Sequence, residues 1–417
     1  MTAPVEGPAA DVIVVGAGPA GRSLAYRAAA AGLRATLVDP APHRVWRQTF
    51  GMYADDAPAW LDPGAVAARS AEFCVFTPQR RVVDRGYLVL HSERFQQSLS
   101  LSEVTVVASS ATALTATSVT LADGSVLAGR HVVDARGTAG HRRADTPRQT
   151  AVGILAGRVG ATDGGDDPDT TVLMDWRPAD TGPNAVSSNL TSSKLTSSDP
   201  ASFSYRIDTA RGRLVEETCL AARPPLGIAE LARRARLRLR LSAPTGDEEV
   251  QLGGMDEIVD FPMYPNARPW RGDGALAIGA VGGLMNPATG YSVAQSLRAA
   301  DLVVEAVAGR RDPRAALWPR AARIAFTLRL LGLLVLIRLR PAELVGFFDA
   351  FFGVPVPLQR AYVSSHADAP GVLRAMAAVF RRSPPRLKAR VAVASARAAV
   401  EVVRLMVVGA SGSAEEG

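Results

Sequence analysis

The sequence predicts an α/β fold in which a nucleotide-binding parallel-sheet domain is interleaved with a mixed β-sheet domain and followed by a C-terminal helical region. Three observations predict it. A strand, a glycine-rich turn, a helix and a second strand ending in an acid succeed one another from Asp11 to Asp39. A run of short β-rich segments fills the middle of the chain. A second strand, glycine turn and helix then returns at Asp273 to Gly309, ahead of about a hundred mostly helical residues.

The first element is the most informative. The apolar run Val12 to Val15 suits a strand covered on both faces. Gly16, Gly18 and Gly21 form G-x-G-x-x-G where the strand passes to a helix from about Pro19 to Ala31, with Gly32 as its C-terminal cap. The first glycine permits the tight turn, the second lets a pyrophosphate approach the backbone, and the third lets helix and strand pack closely. Pro19 and Ala20 open the helix, whose N–H groups and positive dipole end point at the phosphates. The strand Ala35 to Val38 ends at Asp39, where a carboxylate accepts the ribose hydroxyls of an adenosine.

After Asp39 the stretch His43 to Trp60 reads as a loop carrying Trp46, Phe50, Tyr53 and Trp60, aromatics suited either to wall an apolar pocket or to pack on the core. Tyr87 to Leu101 reads as a strand and a helix. Asp123-Gly124 is a hairpin turn between Ser118 to Leu121 and Val126 to Leu127. The strand His131 to Ala135 stops at Gly137, a glycine placed for close approach to a ligand. Strands are expected at Ala151 to Ala156, Thr171 to Trp176, Ala201 to Ile207, Gly212 to Cys219 and Glu257 to Met263. Polar loops are expected at Gly160 to Asp169 and Asp180 to Pro200, and Glu230 to Leu241 reads as an arginine-studded helix with a solvated face. The late return, with strand Ala275 to Gly279 and a helix from Ser292 to Val307, is the pattern of an interleaved two-domain flavoprotein.

Composition narrows the class. The chain has 417 residues, 47% of them hydrophobic, and a formal net charge of +7 carried almost wholly by arginine. Without a concentrated basic patch or a reader motif this charge does not indicate nucleic acid, and an anionic membrane surface suits it as well. Cys74 and Cys219 match no metal spacing and read as buried free thiols. With five histidines and no HExxH or CxxC, no metal site is expected. No signal peptide is visible, so a cytoplasmic protein is expected. Leu330 to Ile337, bracketed by Arg329 and Arg338, is shorter than the roughly 20 residues a span requires. Together with Phe347, Phe348, Phe351 and Phe352 it suits a core helix, a monotopic surface or the mouth of a lipid tunnel.

Two groups of acids are candidates for chemistry. Glu216 and Glu217 lie side by side in Leu214 to Thr218, and strand alternation puts them on opposite faces. One can then look into an apolar cavity, where desolvation keeps a carboxyl protonated near neutral pH and able to act as a general acid. Asp175, in Met174 to Arg177, has Arg177 as a ready partner that keeps it ionised.

These residues together resemble the flavin-dependent lycopene cyclases of the bacterial and plant β-cyclase type. The resemblance spans roughly Asp11 to Gly309. It rests on the N-terminal fingerprint, on WRQTFGMY from Trp46 to Tyr53 beside the family's W-x-x-T-Y-G-x-W, and on MDWR. It rests also on LVEET with Arg223-Pro224 beside the family's F-L-E-E-T and R-P, and on Asn286 to Ser292, NPATGYS. It implies an FAD-binding Rossmann-like domain of the glutathione-reductase/hydroxylase type, discontinuous over 1–60, 101–150 and 265–310. A substrate domain over 61–100 and 151–264, a helical region over 311–409 and a disordered tail over 410–417 complete the expected plan.

Further implications concern chemistry. The resemblance implies FAD held by Gly16, Gly18, Pro19, Ala20, Gly21, Asp39, Gly137, Gly279, Thr289 and Gly290, and kept reduced by NAD(P)H. It implies cyclisation of the ψ-ends of lycopene or γ-carotene to β-ionone rings without net redox change. Glu216 is then the principal acid, with Glu217 and Asp175 in support, and the protein works at the membrane periphery. Two positions depart from the family. Asn286 stands where His often precedes Pro, and supplies a hydrogen bond to flavin or substrate but no acid; Phe50 stands where a Tyr is usual. The alternatives are an FAD-dependent monooxygenase or prenyl-chain reductase using NAD(P)H, which has no need of LVEET with MDWR, and a carotenoid-binding flavoprotein without catalysis.

Overall fold

A computed structural model describes residues 10–138, 146–156, 170–178, 200–241, 255–265 and 268–408. The loops expected at 160–169 and 180–199 and the tail at 410–417 lie outside them.

Ala10–Val15 is the centre of a seven-stranded sheet, paired in parallel with Ala35–Val38 on one side and Val126–Asp134 on the other. Thr105–Val107 and Leu276–Ala277 extend this parallel core. Ser118–Leu121 and Ala111–Leu114 continue it as an antiparallel ribbon around the Asp123-Gly124 turn. The runs expected as two strands around residue 130 are one strand, because Gly129 lies against Ala10 in the parallel ladder and leaves the pairing unbroken. The strand expected at Ala275 to Gly279 is only Leu276–Ala277, since Gly279 turns at φ +69° and leaves the ladder. Helices Pro19–Ala30 and Val293–Ala308 cover one face through Leu24, Ala28, Val303 and Val307.

The stretch expected as a loop around residue 50 contains a strand, Phe50–Tyr53, in a three-stranded sheet with Tyr87–Leu90 and Val66–Ser70. Alternation explains it: Phe50 and Met52 pack with Trp46 and Phe95, while Tyr53 turns to the opposite cluster. Trp60 packs on Tyr26 and donates to Asp301 instead of walling a pocket.

The second seven-stranded sheet runs, in order, Glu257–Pro262, Arg148–Ala156, Gly212–Ala222, Phe203–Thr209, Val172–Asp175, Phe73–Phe76 and Arg80–Val83. Its two faces differ in cover. Helix Ile228–Leu241 lies on one, burying Leu231, Ala232, Ala235 and Leu239 against Val215 and Cys219. The other faces Tyr53, Tyr87 and the C-terminal helix Pro341–Phe352, whose Phe348 stacks on Trp176 at 5.3 Å. Leu330, Leu333 and Leu334 of helix Arg320–Leu336 are fully buried, so that apolar run is core. Among the described residues no single helix is long and apolar enough to cross a membrane; Pro341–Phe352 and Val356–Val363 reach that length only together, bent by 117°.

Candidate functional site

The glycines of the fingerprint divide by what surrounds them. A Cβ on Gly16, whose φ is +107°, would lie 2.6 Å from the Ala135 carbonyl oxygen, and one on Gly21 would lie 1.9 Å from the carbonyl oxygen of Gly16. These two are small because backbone fills the space. Gly18 has nothing within 4 Å of that position and sits at the N-terminus of Pro19–Ala30, whose first turn carries no acid. Its uncompensated positive end faces open space, which suits a phosphate. Gly137, with φ +77°, is equally open, and Gly279 approaches Ala20 so that a Cβ there would be 3.0 Å from the Ala20 methyl. Val15, Asp134 and Ala277 are register partners in adjacent parallel strands, so the segments after them meet at one sheet end. Asp39 accepts Ala17 N–H at 2.8 Å and Ala41 N–H at 2.7 Å, one on each oxygen, leaving further lone pairs for a ligand.

Gly290, next to Thr289, lies against Gln149 and Phe261 of the mixed sheet. Gly290 turns at φ +78°, and a Cβ there would meet the Gln149 side-chain oxygen at 2.4 Å and Phe261 at 3.2 Å. Asn286 does not offer its amide to a ligand. Its Nδ2 donates to the Tyr362 and Val363 carbonyls at 3.1 and 3.2 Å, and its Oδ1 accepts Ala288 N–H. With Arg329, which donates to the carbonyls of Ala361 and Tyr362, it satisfies the end of helix Val356–Val363.

The acids separate across the mixed sheet as alternation requires. Asp175, Ser204 and Glu217 are register partners on three neighbouring strands, on the face covered by helix Ile228–Leu241. Glu217 is 1% exposed, accepts Ser202 Oγ at 2.6 Å and pairs with Arg238 Nε at 3.0 Å. Asp175 is fully buried and pairs with Arg177 at 2.7 Å and Arg206 at 3.0 Å. Burial pushes its pKa up, but hydrogen bonds from Arg177 and the charges of Arg238, Arg206 and Arg177 outweigh burial and bring it down to about 2. The helix expected to be solvated thus buries one of its arginines, Arg238, because two carboxylates wait beneath it.

Glu216 faces the other way. Its register partners are Gly153 and Tyr205. It forms no ion pair among the described residues, and it accepts a hydrogen bond from the Thr218 hydroxyl at 2.9 Å. Desolvation first, and the charge of Glu257 second, push its pKa from the usual 4.5 to about 7 against that hydrogen bond. It is half-buried. Tyr53, Tyr87 and Tyr291 pack ring to ring around Tyr205 and Glu216, with centroids 5.4 to 6.5 Å apart. Burial raises all four phenols, Tyr53 to about 12. A Cβ on Gly51 would sit 2.2 Å from the Tyr87 hydroxyl, so the glycine of WRQTFGMY makes room for this cluster. The result is a carboxyl of raised pKa on an aromatic wall, whose flanking cation, Arg85, lies 3.6 Å over the Tyr53 ring and is paired with Asp55 and Asp56.

The sequence reading reached Glu216, Tyr53 and the glycines, but gave Tyr87, Tyr205, Glu257 and Gln149 no role at the site. Only strand register brings those four to this face, and nothing in their spacing announces it. Among the described residues no group of acids, histidines and cysteines could hold a metal.

The profile of the family described as lycopene cyclase protein matches residues 11–389. The chain belongs to the lycopene cyclase family. It is 31% identical over 412 residues to an uncharacterized carotenoid cyclase of Deinococcus radiodurans, covering 93% of each chain. It is 28% identical to the chloroplastic lycopene beta cyclase of an Oncidium hybrid cultivar, covering 90% of this chain and 82% of that one. A solved structure of a geranylgeranyl bacteriochlorophyll reductase-like protein from Thermoplasma acidophilum superposes with a TM-score of 0.60 at 15% identity, covering 93% of this chain and 99% of that one. At that identity the likeness is one of fold, and it is the interleaved α/β fold the sequence predicts. The protein is therefore an enzyme of the carotenoid cyclase family.

Proposed function

We propose that this lycopene cyclase family member is a lycopene β-cyclase, closing the ψ-ends of an acyclic carotenoid into β-ionone rings with no net redox change. The observation that carries the reading is Glu216: a carboxyl raised to about 7, without a cation, against buried tyrosine rings. Such a group holds its proton in roughly half of the molecules at neutral pH, the poise that suits a general acid. It gives its proton to the terminal double bond of the substrate. The next double bond of the substrate attacks the tertiary cation, closing the ring, and loss of a ring proton to the Glu216 carboxylate regenerates the acid and leaves a neutral, isomeric β-ring. The faces of Tyr205, Tyr87 and Tyr291 favour the cation and exclude water from it. On this reading Glu217 and Asp175 support the reaction from the opposite face by fixing the strand that carries Glu216.

The cradle fits FAD, because Gly18 and Gly137 leave open space at a helix N-terminus while Gly16 and Gly21 are pressed on backbone. Gly16, Gly18, Pro19, Ala20, Gly21 and Asp39 would hold the adenine nucleotide half, with Gly137 and Gly279 beside the pyrophosphate and Thr289 and Gly290 toward the mixed sheet. When bound and kept reduced by NAD(P)H, FAD would supply an electron-rich ring that favours a carbocation.

The reading includes a cytoplasmic protein at the membrane surface, where C40 substrates reside. Helix Pro385–Val408 exposes Val393, Val400, Val403 and Val407 beside Arg397 and Arg404. Apolar side chains flanked by arginine suit an anionic headgroup layer. The test of function is expression in lycopene-accumulating cells with pigment analysis. Appearance of γ- or β-carotene is expected; unchanged lycopene with carotenoid-stimulated NAD(P)H oxidation would replace the reading by a flavin redox enzyme.

A further inference from the structure

Among the described residues three of the four buried acids have arginine partners, while the fourth, Glu257, and the half-buried Glu216 have none. Asp175 and Glu217 are paired with arginine, and Asp56, 3% exposed, is held by Arg85 and Arg298. Glu216 and Glu257 form no ion pair among the described residues, although the chain is rich in arginine. Both lie in one row of the mixed sheet, because Gly153 is the register partner of Glu216 on one side and of Glu257 on the other. Gly153 puts no side chain between them. A Cβ there would lie 3.3 Å from the Glu257 Cβ and 2.9 Å from Leu214 Cδ1.

Glu257 is 8% exposed. Its Oε1 accepts the Thr49 N–H at 2.9 Å, while its buried Oε2 has no donor. Gln149 Oε1, on the same strand and face as Gly153, is a second buried acceptor without a donor. The titratable groups that face Glu216 are Tyr205 from the neighbouring strand, Tyr87 from the three-stranded sheet, Tyr291 packed against both tyrosines, and Glu257 itself. None of these is a cation; Arg85, over the Tyr53 ring at 3.6 Å, is paired with Asp55 and Asp56, and Arg177, Arg206 and Arg238 lie with Asp175 and Glu217 on the opposite face. A face that offers its two acids hydrogen bonds but no ion pair gains most from a proton retained on one of them.

We propose that Glu257 is a positioning residue of this site: facing Glu216 across Gly153 without a cation of its own, its carboxylate holds the proton on Glu216. The proposal rests on the reading of Glu216 as the acid, and its test separates the two. Isotope-edited infrared titration of carboxyl bands in the flavin-loaded protein follows Glu216 directly, and the pH profile of cyclisation follows its use. In the unsubstituted protein the pair should titrate in two coupled steps; two independent simple steps would overturn the coupling without any variant. In Glu257→Gln the Glu216 midpoint should fall by about one pH unit or more, and the alkaline limb of the profile should move with it, flavin content unchanged. A midpoint that stays put in the folded, flavin-loaded variant removes Glu257 from the role and leaves Glu216 as the acid. If instead Glu216→Gln still cyclises, the acid reading falls while the infrared coupling in the unsubstituted protein stands.

Discussion

The two faces of the mixed sheet carry the same kind of residue in opposite states. Beneath helix Ile228–Leu241, Glu217 and Asp175 sit among Arg238, Arg177 and Arg206 as ionised, fully partnered groups. On the other face, one residue away in sequence, Glu216 stands among tyrosines without an ion pair, its pKa raised to about 7 by desolvation and by the charge of Glu257. Neither state follows from the carboxyl itself. Arginine partners hold Glu217 and Asp175 as a clamp, Glu216 without one is raised toward neutrality, and strand alternation lets adjacent residues take the two states.

The sharpest way to break this comparison is to neutralise the two neighbours separately. Glu216→Gln should lower cyclisation by roughly 10²–10⁴-fold, the usual range for losing a general acid, with melting temperature and flavin content retained. Pigment turnover and flavin absorbance on the same preparation check it; near-normal turnover would remove Glu216 from the acid role. On the clamp face the loss should be one of folding. Arg238→Met leaves two buried carboxylates short of a cation and should cost roughly 3–5 kcal/mol of stability, read from denaturant midpoints, while turnover per folded molecule is kept.

The pH dependence of stability should carry opposite signs for the two faces. The pKa of Asp175 is about 2 in the folded chain against an ordinary 3.8, so its contribution is present above 3.8 and is lost as pH falls toward 2. Glu216 at about 7 against 4.5 favours the folded state fully below 4.5, and that contribution is lost as pH rises to 7. Denaturant midpoints in Asp175→Asn should lose the acid-side slope, and those in Glu216→Gln the slope between 4.5 and 7. An unchanged slope in either variant would detach that residue from its assigned state.

Much of this was legible before the fold was known. The nucleotide half is local in sequence: strand, glycine turn, helix, strand and acid follow one another within Asp11 to Asp39, each dictated by its own residues. The split between Glu216 and Glu217 was legible too, because alternation needs no tertiary information. What remained hidden is set by register. Glu257 lies about forty residues from Glu216 in sequence, and Tyr87 more than a hundred, and only pairing through Gly153 and packing beside Tyr205 unites them. The strand Phe50–Tyr53 was hidden for a related reason: four residues interrupted by Gly51 give too short an alternation to stand out from a loop. Asn286 was misplaced as a ligand donor because its carbonyl partners belong to a helix more than seventy residues later.

The smallest predicted effect asks what the tyrosine face contributes beyond leaving Glu216 without an ion pair. If its task is to present electron-rich rings to a cation, the ring of Tyr205 matters more than its hydroxyl, since the quadrupole belongs to the ring. Tyr205→Phe keeps the ring and the packing against Phe203, whose centroid is 5.1 Å away. It should lower turnover by no more than roughly three- to tenfold, the scale of one hydrogen bond. Tyr205→Leu removes the ring and should lower it further, with the Glu216 midpoint little changed because neither substitution adds a cation. Equal losses in the two variants would mean that the hydroxyl, not the ring, is what this face offers the reaction, and the contrast between the faces would then be one of hydrogen bonding as well as charge.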